Sequence, residues 1–236
     1  MRLDNDLALP PSSATIDAAP VAAGSGRPPD DDRRIAIHEA AHALVARSFG
    51  RPLGGVTCDP IGNSSGLCWG QSYSIRFAAD DDIDVLDQIA ALMPREGETH
   101  DDLVISHLWS SVVELTAGSE AELLHFGDAW PATSDRQDEL RRASLVCSNE
   151  ESAAAYIAAC AAEARAILRQ HEDVLLALTD ALLESRTLTA EEVDAIISQT
   201  IALRQMAAER ERRKCWYQTQ LNAAVFKTFL LEQKVT

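Results

Sequence analysis

The sequence predicts an α+β fold that is predominantly α-helical, a helical bundle carrying one small β-hairpin or sheet. Three observations predict it. Apolar residues recur at helical spacing through residues 33–50, 101–126 and 134–212. β-Favouring residues concentrate in one place, around Val56 to Cys58 and Leu67 to Ile75, on either side of the turn-forming run PIGNSSG. The first thirty or so residues hold five of the chain's nine prolines among many Ala, Ser, Gly and Asp residues, a composition that buries too little apolar surface to offset chain entropy.

Taken in order, residues 1–32 are therefore expected to be a disordered tail. A helix follows over 33–50: Asp30, Asp31 and Asp32 offer N-terminal capping and favourable charge, and Gly50 with Pro52 stop it. After the hairpin, Asp80, Asp81, Asp82, Asp84 and Asp87 form an acidic cluster. It lacks the glycine and closing glutamate of a calcium loop and reads as a solvated helix start. Leu103, Leu108, Val112 and Leu115 mark the buried face of the next helix, in which Gly118 implies a break or a close helix crossing. Ser134 is a plausible N-cap for another helix, with Asp135 in its first turn. Residues 149–205 read as almost wholly helical, with a turn near Arg186 and a new cap at Thr187 or Thr189. The main domain is drawn over 33–212. Residues 213–236 form a C-terminal amphipathic helix or tail bearing Phe226, Phe229 and Leu230, a surface that docks on the same chain or on a partner.

Composition excludes some functions. Lysine and arginine total 21 against 37 aspartates and glutamates, a formal charge of −16, so nucleic acid is an unsuitable partner. Cys58, Cys68, Cys147, Cys160 and Cys215 are odd in number and widely spaced, which fits reduced thiols, mostly buried as small hydrophobes. The N-terminal residues lack the basic region and apolar core of a signal peptide, and no window is long and apolar enough for a membrane span. The expectation is a soluble, cytoplasmic protein.

The chemistry lies in the first helix. In RRIAIHEAAHALVARSFG the interior polar residues are His38, Glu39 and His42. Positions i and i+4 share a helix face, so the two imidazoles can converge on one point, and Zn²⁺ takes nitrogen ligands in such an arrangement. Glu39 lies beside the pair, where a carboxylate can accept a proton from a water that the metal activates. The pattern is H-E-x-x-H. The competing reading is two core histidines bonded to backbone carbonyls, with Glu39 paired to an arginine.

Such a site needs a third protein ligand. Glu114, Glu120, Glu122, Asp128, Asp135 and Asp138 are all candidates, and residue chemistry does not rank them. For a second oxyanion donor, His100, His107 and His125 are available.

IHEAAHALVA resembles the H-E-A-G-H segment of the FtsH-type peptidase family, zinc protease domains usually fused to a membrane-anchored AAA ATPase. VELTAGSEAELLHFG is similar to that family's G-G-R-A-A-E-E-x-x-F-G stretch, TSDRQDELRRASLV to its S-N-D helix start, and RTLTAEEVDAII to its closing helix. The likeness spans roughly residues 34–198 and implies a zincin-like peptidase domain. Carrying over the aspartate of S-N-D gives Asp135 as third ligand beside His38 and His42, with Asp138 as the rival. Ala41, Ser119, Glu120 and Glu139 depart from the family's residues. No G-x-x-x-x-G-K-[ST] loop occurs, so ATP-driven unfolding is not expected of this chain.

The function so implied is a zinc metalloendopeptidase that cuts flexible or unfolded polypeptides. Glu39 is its general base, the 54–77 hairpin receives the substrate strand, and a homo-oligomer or a separate unfoldase is a possible partner. Two alternatives stand beside it: a catalytically silent zinc-binding scaffold with a regulatory role, and a zinc hydrolase of non-peptide amides.

Overall fold

Helix α1 spans Pro29–Ser48 and is the axis of the molecule. Ile35 to Ala46 are almost all buried, including Ile37, Leu44 and Val45, which is why this segment is apolar around its whole circumference. Each such aliphatic side chain contributes about 1.5–3 kcal/mol of burial. The computed structural model describes residues 27–70 and 102–232. The acidic cluster at 80–87, most of the N-terminal tail, His100, and residues 71–77 of the expected hairpin lie outside them.

The start of α1 differs from expectation. The helix begins at Pro29, four residues ahead of the boundary drawn at 33, and Pro28 is its N-cap with no side-chain cap bond. Proline suits this position because its missing N–H is one that a helix start leaves unpaired anyway. Asp30, Asp31 and Asp32 therefore occupy the first turn and act on the helix dipole rather than as caps. Phe49 and Gly50 end the helix, Gly50 at φ +66°.

A three-stranded antiparallel sheet packs on α1: β1 is Gly55–Thr57, β2 is Leu67–Trp69, and β3 is Thr187–Thr189. The order is β2-β1-β3, with Val56 opposite both Cys68 and Leu188. The third strand comes from far along the chain, and among the described residues β2 occupies an edge.

Among the described residues four further helices form the bundle: α2 (Asp102–Phe126), α3 (Thr133–Val146), α4 (Glu150–Gln170) and α5 (Glu172–Ser185). Helix α1 packs chiefly against α2 and α5, and α2 against α4 and α3. Leu108, Val112, Val113, Ala117 and Ala121 form the buried stripe of α2, so the helix runs unbroken through Gly118 and the close crossing is the correct alternative there. Helix α3 starts at Thr133 with Ala132 as its N-cap, placing Ser134 inside the first turn. Asn149 caps α4 through its side chain, which accepts from the Ser152 N–H at 2.8 Å. A break at His171 separates α4 from α5.

Helix α6, Ala190–Glu232, is 43 residues long and continuous across 212 and 213. Thr189 caps it: its hydroxyl accepts from the Glu192 N–H, and Glu192 accepts from the Thr189 N–H at 2.8 Å. Beyond Ile201 nearly every described side chain of α6 is exposed, Met206, Trp216, Tyr217 and Phe226 among them. No helix among the described residues is long and apolar enough to cross a membrane.

Candidate metal centre

His38 and His42 lie one turn apart on α1 with ring centroids 4.8 Å apart. Asp135, in the first turn of α3, comes to the same place. Its Oδ2 is 3.1 Å from His38 Nε2 and 3.7 Å from His42 Nε2. One ligand atom from each of the three residues lies within 4.8 Å of the others. Two imidazole nitrogens and one carboxylate oxygen are the donor types that zinc takes in open sites.

The outward nitrogens are anchored, and the anchors fix the tautomers. His42 Nδ1 lies 2.7 Å from the Glu114 carbonyl oxygen. A carbonyl only accepts, so Nδ1 carries a hydrogen, and Nε2 is the nitrogen that would be free to bind a metal when the ring is neutral. His38 Nδ1 donates to Glu122 Oε1 at 2.6 Å, which likewise leaves Nε2 as the nitrogen facing Asp135 and a metal. Such outer partners orient metal-binding imidazoles and raise their basicity. Glu122 is itself held by Arg34 Nη1 at 3.0 Å and by the Trp130 N–H at 2.9 Å. Arg34 also bonds Asp128 at 2.7 Å and lies over the rings of Phe126 and Trp130, so the turn after α2 is tied to the wall of the site.

Two glycines make room for these groups. Gly118 is where α2 crosses α1, and a Cβ there would overlap the His38 imidazole. Gly66, just before β2, sits so close to Glu39 that a Cβ would lie 2.7 Å from Glu39 Cγ and 2.8 Å from the Thr57 carbonyl oxygen. The edge strand of the sheet therefore begins beside Glu39.

Electrostatically the site gathers three carboxylates, Glu39, Glu122 and Asp135, around two imidazoles. Burial opposes charge on His38, but hydrogen bonds to Asp135 and Glu122 and the charge of Glu39 outweigh it and raise the imidazole to about 10. His42 is raised too, burial again being overcome by Asp135. Burial works against ionised Asp135 as well, yet the two imidazoles hold its carboxyl well below the usual carboxylate range. Glu39 goes the other way: burial raises it, and the charges of His38 and His42 offset only part of that. In the metal-free chain the carboxylates thus pull both imidazoles towards their protonated, positively charged form. A divalent cation fits the same requirement with both histidines neutral.

The remaining ligand candidates are elsewhere. Asp138 pairs with Arg141 at 3.5 Å, and Glu120 with Arg165 at 2.7 Å. Glu114 pairs with Arg51 at 3.0 Å, and Asp128 takes Arg34. Glu122 reaches the site as the partner of His38. His107 is exposed and half-buried His125 stands in the last turn of α2.

No family model matches the chain. It is 29% identical over 192 residues to the ATP-dependent zinc metalloprotease FtsH 4 of Sorangium cellulosum (strain So ce56), a match covering 71% of this chain and 29% of that protein. The chain thus spans less than a third of the relative's length, and what it shares with a zinc metalloprotease is a distant likeness over most of its own residues.

Proposed function

We propose that the chain is a zinc-dependent metallopeptidase acting on flexible or unfolded polypeptide segments. One observation carries the reading: His38, His42 and Asp135 converge from two helices with their ligand atoms within 4.8 Å, and buried Glu39 lies next to the first histidine in the chain. His38, His42 and Asp135 would hold the metal. Zinc bound there supplies Lewis acidity towards a water and a substrate carbonyl oxygen. The similarity to a zinc metalloprotease supports the same reaction class.

Glu39 is the general base. Its burial raises its proton affinity above that of an ordinary glutamate, which suits a group that must take a proton from water and return it to a leaving amine. The side-chain carboxylates of Asp135 and Glu122 are occupied by the histidines and Arg34, so Glu39 is the carboxylate left for proton transfer. The edge strand β2, starting beside Glu39, offers its outer backbone groups to an extended peptide. A substrate chain paired there runs past the general base, which favours peptide bonds over small amides.

The test is zinc content and cleavage of unfolded casein by wild type and Glu39→Gln. The expected result is one zinc per chain in both proteins, with cleavage in the wild type and a loss of at least about a hundredfold in the variant. Zinc without cleavage in the wild type would leave a metal-binding scaffold; absence of zinc would remove the site.

A further inference from the structure

Beside the candidate metal centre is a cavity of about 470 Å³, within the size range of ligand pockets. Asp135 forms part of its lining, so it adjoins the metal centre. Trp130, Pro131 and Ile157 supply apolar wall, and Glu120 and Glu139 bring carboxylates to it, buried at 6% and 5% exposure. Resting on the peptidase reading above, we propose that this cavity receives a substrate side chain with an aliphatic stem and a cationic end, so that the chain cuts next to lysine or arginine.

The two glutamates are not equivalent. Both oxygens of Glu120 are taken by Arg165, at 2.7 and 3.0 Å, a forked pair that leaves nothing to recruit. Glu139 accepts one bond, 2.9 Å, from Arg136 one turn earlier on α3, and the Arg136 side chain is 59% exposed. A buried carboxylate requires a cation beside it. The arginine that now serves reaches in from water and can be exchanged for another cation, since its own side chain is regained by solvent as the newcomer takes the buried end of the pair. An entering ammonium or guanidinium takes its place at Glu139 while its methylenes lie along Trp130, Pro131 and Ile157. An acidic side chain would meet Glu120, Glu139 and Asp135 together and be rejected, whereas an apolar one gains the walls alone. The chain's formal charge of −16 draws basic segments towards it in the same sense.

The experiment digests unfolded casein with the zinc-loaded wild-type chain and reads the cut sites by mass spectrometry. Lysine and arginine should be enriched about tenfold over leucine and phenylalanine at one of the two positions flanking the cut. Glu139→Gln should bring that enrichment close to one while other cuts persist. Arg136→Ala, at an exposed side chain, should raise it. Enrichment of apolar or acidic residues, or a basic preference indifferent to both variants, would overturn the proposal. A second readout does not need turnover: fluorescence anisotropy of labelled peptides on the Glu39→Gln protein, with lysine expected to bind about tenfold tighter than leucine at the variable position. If the wild type cuts nothing, the peptidase reading falls. Tighter binding of the lysine peptide would then still uphold the cavity, and equal binding or tighter binding of the leucine peptide would overturn it as well.

Discussion

His38 places each ring nitrogen against a carboxylate: Nδ1 is 2.6 Å from Glu122 and Nε2 is 3.1 Å from Asp135. The two contacts have different roles. Asp135 shares its side of the ring with His42, whereas Glu122 is fixed from behind by Arg34 and the Trp130 N–H. Glu122→Gln keeps an acceptor in place but removes the charge that makes the imidazole basic. Zinc affinity should fall about 10–100-fold with little change in fold, measured by competition with a chromophoric chelator.

Gly118→Ala tests the helix crossing. Within an isolated helix the exchange stabilises by about 0.8–1.0 kcal/mol. Here the new Cβ would overlap the His38 imidazole, and overpacking a close contact costs about 1–3 kcal/mol, so the steric term wins. The variant should melt below the wild type and bind zinc weakly. A melting temperature at or above wild type with zinc retained would show that the ring can step aside.

How much of this was legible in the sequence follows from range. His38, Glu39 and His42 are neighbours on one helix, so spacing alone grouped them. Asp135 lies 97 residues from His38, and composition left it level with five other carboxylates. Only the resemblance to a peptidase helix start singled it out. Glu122 stood among the ligand candidates, but its partnership with Nδ1 of His38 depends on how α2 crosses α1, which no local pattern encodes. Gly118 carried a local sign of that crossing. The third strand was hidden because Thr187–Thr189 is three residues long and also caps α6, too short for an alternating pattern to register. The break at His171 had neither glycine nor proline to announce it.

The pH response of the metal-free chain follows from the same network. His38 is raised from 6.5 to about 10. The stability it contributes is therefore fully present below 6.5, declines as pH rises and is lost above 10. Asp135 is shifted down, so its contribution is present above about 3.8 and is lost as pH falls through its depressed value. The part of each shift that comes from the His38–Asp135 contact is one interaction and counts once. Zinc needs neutral imidazoles, so its advantage over protons grows as pH rises through this window. Thermal melts in buffered free zinc should show a zinc-induced gain in melting temperature that increases between pH 6.5 and 9. A gain that shrinks over that range would mean the metal is not competing with protons on His38 and His42.

Arg186 should matter for stability and not for metal. Its guanidinium bonds Asp59 at 2.8 Å, Asp32 at 3.2 Å and the Cys58 carbonyl at 3.3 Å, while its own carbonyl accepts from the Cys58 N–H at 2.9 Å. One residue thus joins α1, β1 and the end of α5. It does so at φ +67°, a backbone region that side chains other than glycine's rarely adopt. Arg186→Ala loses the ion pairs and keeps the strain, and should destabilise by about 2–4 kcal/mol. Arg186→Gly loses the same pairs but adopts that φ freely, so it should sit about 1 kcal/mol above the alanine variant. Urea unfolding of the three proteins at saturating zinc measures the order. Equal stability of alanine and glycine variants would show that the positive φ carries no strain, and loss of zinc from either would couple this corner to the metal centre.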